Sequence, residues 1–192
     1  AFSGDSARSQ TLADELRTRF PEDTSVGYSY LPTLRAQLAL NRSESPKAIE
    51  LLQTAAPYGL GSLDSVSAGF VGSLYPIYVR GLAYLAAQQG SKAATEFQKI
   101  LDNRGIVGSD PIGALAHLQL GRALTLSGQK GKAKTAYQDI LTPWKDADPD
   151  IPVLKHAQAE YAKLLYLARC GSYFVKTLRR AFAQHPDTRS TV

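Results

Sequence analysis

The stretch KAATEFQKIL, residues 92–101, returns forty residues later as KAKTAYQDIL, residues 132–141, with six of ten positions identical. A third copy, KAIELLQTAA, lies upstream at residues 47–56. Each copy opens Lys-Ala and carries a glutamine six residues after the lysine: Gln53, Gln98 and Gln138. Each also places a small residue four before a bulky one, as Ala48/Leu52, Ala93/Phe97 and Ala133/Tyr137. That spacing sets both on one face of a helix, and Ala55, Ile100 and Ile140 extend the same face by one turn. The three segments therefore predict the second helices of a repeating helix pair.

The first helices are legible by the same offset. YPIYVRGLAYLAAQQ (residues 75–89) aligns with PIGALAHLQLGRALTLSG (residues 111–128), so that Gly81 matches Gly121. The upstream counterpart is YLPTLRAQLALN (residues 30–41), where Ala36 takes the glycine place. A residue without bulk inside a helix lets the neighbouring helix come close. The connections NRSESP, QGS and GQKG are short enough to impose antiparallel pairing. Long links, APYGLGSLDSVSAGFVGSL and NRGIVGSDP, separate one pair from the next. A helix from about residue 6 to residue 20, stopped by Pro21, reads as a second helix without its partner. An Asp/Pro-rich start followed by a helix from about residue 151 reads as a cap. The expected fold is all-α, a helical-hairpin solenoid of about three pairs with flanking helices.

Composition narrows the class. The chain has 192 residues and 44% hydrophobic content, with no apolar run of membrane-spanning length, so no membrane insertion is expected in this segment. The opening AFSGDSARSQ has no charged-then-apolar leader pattern. A chain that starts at Ala1 and lacks methionine reads as a processed, trimmed or excised segment. The single cysteine, Cys170, excludes an internal disulfide framework, which fits a reducing, cytoplasmic compartment. The formal charge of +5 is concentrated at one end. Residues 165–192 carry Arg169, Lys176, Arg179, Arg180 and Arg189 against Asp187, leaving residues 1–164 close to neutral. No basic stripe of the kind a nucleic-acid footprint needs runs through the body.

Residue types that carry chemistry are sparse. The histidines His117, His156 and His185 form no metal-ligand spacing, and no metal or cofactor is expected. SVSAG, residues 65–69, is the nearest string to a nucleophile elbow. It has Ser65 where a glycine belongs, Ser67 as the would-be nucleophile, and no strand pattern before it. Ser67 with His117 and Asp110 supports only a weak hydrolase alternative, and the chain is read as a non-enzyme. Cys170 beside Arg169 has no base to activate it. Lys130, Lys132 and Lys134 in GQKGKAKTAY lack the phosphate-loop order and read as a solvated turn.

Small, small, then aromatic or bulky at these positions resembles the tetratricopeptide repeat, although the period here is 40–45 residues and the family's is about 34. Longer strings sharpen the likeness: RFPEDT, LALNR, APYGLGS, LYPIYVRGLAYLAA, EFQKILDNRGIV, DPIGALAHLQLGRA and WKDADPDIPVLKHAQAEYAKL. These resemble the C-terminal tetratricopeptide region of acidobacterial serine/threonine protein kinases, over about residues 6–164. The resemblance implies a docking or sensor segment of a larger kinase-like or regulatory protein. No kinase glycine loop, catalytic-loop Asp or Asp-Phe-Gly is present. It divides the chain into a solenoid, residues 1–164, and an atypical basic segment, residues 165–192. The solenoid holds an incomplete repeat (1–21), three repeats (about 29–57, 74–103 and 114–142) and a capping helix (151–164).

In such a solenoid the first helices line the concave face. By alignment they would display Tyr30, Thr33 and Gln37, then Tyr75, Tyr78 and Leu82, then Leu115, Leu118 and Arg122. That is an aromatic and aliphatic groove with one cation, suited to a peptide or helix of a protein partner. The Lys/Asn carboxylate clamp of chaperone-binding tetratricopeptide domains is not expected at these positions. Self-association through the unpaired first helix is the structural alternative.

Overall fold

Prolines mark where the first helix of each pair begins. Pro32, Pro76 and Pro152 stand in the first turn of a helix, where a missing N–H leaves nothing unpaired and the fixed φ favours helical backbone; Pro111 caps another. The computed structural model describes residues 4–60, 74–108 and 110–166. Its helices are α1 (Ser6–Arg19), α2 (Leu31–Asn41), α3 (Ser45–Leu51), α4 (Tyr75–Ala86), α5 (Gly90–Asp102), α6 (Arg104–Val107), α7 (Ile112–Leu126) and α8 (Lys130–Leu141), followed by α9 at residues 152–166. A π turn, Val26–Tyr30, leads into α2, and no strand occurs among the described residues. The basic segment beyond residue 166, with Cys170 and His185, and the link holding Ser67 lie outside the described residues.

Two boundaries differ from the sequence reading. The helix expected over residues 47–56 ends at Leu51 and continues as turns. Pro57 sets the far limit of any helix here, since its ring would crowd the Gln53 carbonyl, and the chain continues from Ala56 as a short 3-10 turn. The link NRGIVGSDP contains the one-turn helix α6, too short for any periodicity to reveal, ended by Gly108 at φ +52°.

The helices pack mainly on their chain neighbours. α1 lies on α2, α2 on α3, both on α4, α4 on α5, α5 on α7 and α7 on α8. α9 joins through its side chains, with Tyr161 centred 6.3 Å from the Tyr137 ring. The nine small, bulky and apolar positions of the repeated segments, from Ala48 to Ile140, are all buried. Within two pairs an aromatic ring occupies the place of a missing side chain. A Cβ at Gly81 would stand 2.6 Å from the Phe97 ring, and one at Gly121 would stand 2.8 Å from Tyr137. In the first pair Ala36 and Leu52 fill the equivalent places and share one buried cluster.

The turns inside the three pairs are built alike. Ser43, Gln88 and Gly128 each adopt the left-handed conformation, with φ of 63°, 58° and 77°. The following N–H then reaches back five residues: Glu44 to Ala39, Gln89 to Tyr84 and Gln129 to Leu124, at 2.8–2.9 Å. This satisfies carbonyls that a helix end leaves open. Gly90, which falls in the expected turn QGS, is instead the first residue of α5. A Cβ there would meet the Ala123 carbonyl oxygen at 2.8 Å, so it serves the contact of α5 with α7.

One charged pair is enclosed in this packing. Arg80 of α4 donates from Nε to Glu96 of α5 at 2.9 Å, and both side chains are more than nine-tenths buried. Lys99 adds a contact to the other Glu96 oxygen at 2.9 Å. Such a pair fixes register more than it adds stability, because desolvation offsets the attraction.

Two stability measurements test this account. In urea titrations Gly81→Ala is expected to destabilise by about 1 kcal/mol or more, because the clash with a fully buried ring outweighs about 1 kcal/mol of helix propensity. In a Phe97→Leu background the same change is expected to reverse sign; destabilisation in both backgrounds would refute the ring-over-glycine packing. Gln88→Gly is expected to raise stability by up to about 1 kcal/mol and Gly128→Ala to lower it by a similar amount, since only glycine adopts this conformation without strain.

Candidate functional site

The nine residues expected on the first-helix face lie on α2, α4 and α7 and at the turn entering α2, but none is fully exposed. Thr33, Gln37, Tyr78 and Leu118 are buried, with 3–9% of their surface accessible, so they are corrected from groove lining to packing. The reason is that consecutive helix pairs sit close enough for α2, α4 and α7 to bury the sides they turn toward one another. Thr33 Oγ1 donates to the Ser29 carbonyl at 2.7 Å, and Gln37 Nε2 donates to Asn41 Oδ1 at 2.9 Å. Tyr78 stands edge-on to Phe97, 5.7 Å between centroids. Tyr30, Tyr75, Leu82, Leu115 and Arg122 are half-buried. Tyr75, Leu82 and Leu115 pack at the margin of the cluster that holds Tyr78 and Leu118, whereas Tyr30 packs with Val26 and Leu31.

Arg122, expected to be the open cation of the groove, is held by α9. Its Nε donates to both oxygens of Glu160, at 3.0 and 2.9 Å, and Nη2 to Oε1 at 2.6 Å. Nη1 reaches Gln119 Oε1 at 3.3 Å, and Gln119 Nε2 in turn donates to the Tyr78 hydroxyl at 3.4 Å. The Tyr137 hydroxyl donates to Glu160 Oε2 at 3.0 Å. The network thus runs from α4 through α7 and α8 to α9. Sequence reading missed Glu160 because nothing local links it to Arg122, 38 residues away.

Its electrostatics follow from geometry. Burial alone would raise the Glu160 carboxyl, but the hydrogen bonds and charge of Arg122 outweigh it and hold the carboxyl below its usual value. Arg122 is raised, chiefly by its hydrogen bond to Glu160. Burial first, and then the Glu160 charge, pushes the Tyr137 hydroxyl well above the ordinary tyrosine value, so it stays a donor. Burial likewise raises Tyr78, Tyr75 and Tyr30, with Asp110 adding to Tyr75 and Asp23 to Tyr30. These are groups held in one protonation state, and none is poised to exchange a proton near neutral pH.

A second surface lies on the other helices. A cleft of about 640 Å³ opens between α5 and α8, floored by Leu120 and Leu124 of α7 and rimmed by Gln98, Lys132 and Asp139 among others. His117 lies on α7; burial lowers its pKa, Asp139 opposes this and Arg104 adds to it. Among the described residues no cluster of three or more metal-ligating side chains occurs, and no helix is long and apolar enough to cross a membrane. Compared with models of protein families, with curated proteins and with solved structures, the chain finds no match.

Because the folded Glu160 carboxyl lies below its unfolded value, its stabilisation is complete above about pH 4.3, the unfolded carboxylate value, and is lost as pH falls through the lower folded value. Glu160→Gln is expected to lower stability by about 1–3 kcal/mol at neutral pH and to flatten the acid limb of stability against pH. An unchanged acid limb in this variant would remove Glu160 as its source.

Proposed function

We propose that the chain is a tetratricopeptide-like solenoid acting as a protein-interaction scaffold, a docking or regulatory segment of a larger kinase-like or regulatory protein. The observation that carries it is the serial stacking of three like-built helix pairs around buried small-and-bulky positions. Such stacking presents the same side of α2, α4 and α7 in succession. The regulatory setting rests on the resemblance of the long sequence strings to kinase-attached repeat regions. The partner is a peptide or helix with apolar anchors, and it contacts the half-buried Tyr30, Tyr75, Leu82 and Leu115. With Arg122 already paired to Glu160, partner charge plays little part at that end of the face.

A second reading has its own observation. Leu12 and Phe20 of the α1 region are 52% and 45% exposed beside a trench of about 760 Å³. Self-association through α1 would cover them. A serine hydrolase has no comparable support, since His117 Nδ1 accepts no hydrogen bond from a described residue and Ser67 lies outside them.

Selection of peptides from a displayed library tests the scaffold reading. Enriched peptides are expected to lose about tenfold or more in affinity with Tyr75→Ala and Leu82→Ala together, as apolar anchors do, while tolerating Lys132→Ala at the other cleft. Loss with Lys132→Ala alone would move the site to the α5–α8 cleft. Absence of any enriched sequence, with a dimer by light scattering that Leu12→Ser abolishes, would favour self-association instead.

A further inference from the structure

A smaller cavity lies apart from the first-helix face and adjoins the α5–α8 cleft through Asp139, where the link carrying α6 folds against α7 and the end of α8. It encloses about 280 Å³, at the small end of ligand pockets, which run from about 300 Å³ upward. Val107, Ile140 and Trp144 give it apolar walls, and Arg104, His117 and Asp139 are its ionisable lining. The wall contributed by α6 is closely seated, since a Cβ at Gly113 would stand 2.9 Å from Val107 Cγ1. His117 Nδ1 is inaccessible to water and has no hydrogen-bond partner among the described residues.

The charges at the mouth restrict the ligand. Arg104 and Asp139 are exposed, and neither is ion-paired to another described residue. A simple anion would meet Asp139, and a simple cation would meet Arg104. A zwitterion with an apolar body answers both charges and fills the walls. We infer that this cavity is a binding site for a free α-amino acid with an apolar side chain. The carboxylate faces Arg104, the ammonium faces Asp139, and the side chain lies against Trp144 and Ile140. The site draws on residues of the inter-pair link and the end of α8, so it stands or falls separately from the peptide face.

Trp144 is the only tryptophan of the chain and reports on the cavity directly. The full chain is titrated with L-leucine, leucinamide, 4-methylpentanoate and glycine, followed by tryptophan fluorescence and, independently, by calorimetry. Leucine is expected to saturate at micromolar to roughly millimolar concentration, with leucinamide, 4-methylpentanoate and glycine each about tenfold or more weaker. Arg104→Gln is expected to weaken leucine about tenfold while leaving leucinamide unchanged, and Asp139→Asn to do the converse with 4-methylpentanoate. Both side chains are exposed, so the variants keep the fold, which circular dichroism checks. Equal binding of leucine and 4-methylpentanoate would overturn the zwitterion assignment. No saturation by either method up to about 10 mM leucine, or wild-type leucine affinity in both variants, would overturn the site.

Discussion

Two rings lie where two helices have no side chain, and the spacing of the pairs rests on that packing. Phe97 over Gly81 and Tyr137 over Gly121 bring α4 to α5 and α7 to α8 more closely than any residue with a Cβ would permit. Burying a ring of this size contributes about 1.5–3 kcal/mol, and dispersion attraction in the close-packed interior adds to it. The approach also decides what each helix leaves outside. Once the ring is seated, one side of α4 and α7 is committed to the pair and another to the neighbouring pair. The margin carrying Tyr75, Leu82 and Leu115 remains in reach of solvent.

Two arginine–glutamate pairs act at different points of this frame. Arg80–Glu96 sits inside one pair and has no repeat counterpart, since Leu120 and Ala136 hold the corresponding places forty residues on. It marks the middle pair as a particular pair, which a purely apolar interior would not do. Arg122–Glu160 is half-exposed and works between elements, tying the last helix to α7 and, through the Tyr137 hydroxyl, to α8. The same tyrosine therefore packs one pair and anchors the next helix to it.

Much of the fold was legible because helical periodicity is local. The repeated Lys-Ala segments placed the buried Ala, bulky and Ile positions of α5 and α8, and the matched glycines told where a neighbouring helix would come close. What was missed depends on contacts distant in sequence or on backbone states that side-chain type does not announce. Gln88 and Ser43 take a left-handed conformation that sequence reading reserves for glycine, while Gly90 is needed for a backbone approach of α5 to α7. The candidate face was less legible than the fold. Alignment ranked residues by helix position, and it could not show that Tyr78 and Leu118 are covered by adjacent pairs or that Glu160 reaches Arg122.

The apolar interior is divided, and α4 is where it divides. Its Val79 and Ala83 belong with α2 and α3, while its Ile77 and Tyr78 belong with the larger cluster that runs on to Leu164. A third small cluster, Ala13 with Val26 and Leu31, closes the N-terminal end. Opening of α1–α3 therefore leaves the rings of Phe97 and Tyr137 seated. Amide protons of the first pair are expected to exchange with solvent through partial openings, and those of α5 and α7 through global unfolding. Whatever clamps α2 to α4 lengthens the cooperative unit and gives binding there a mechanical consequence far from the contact.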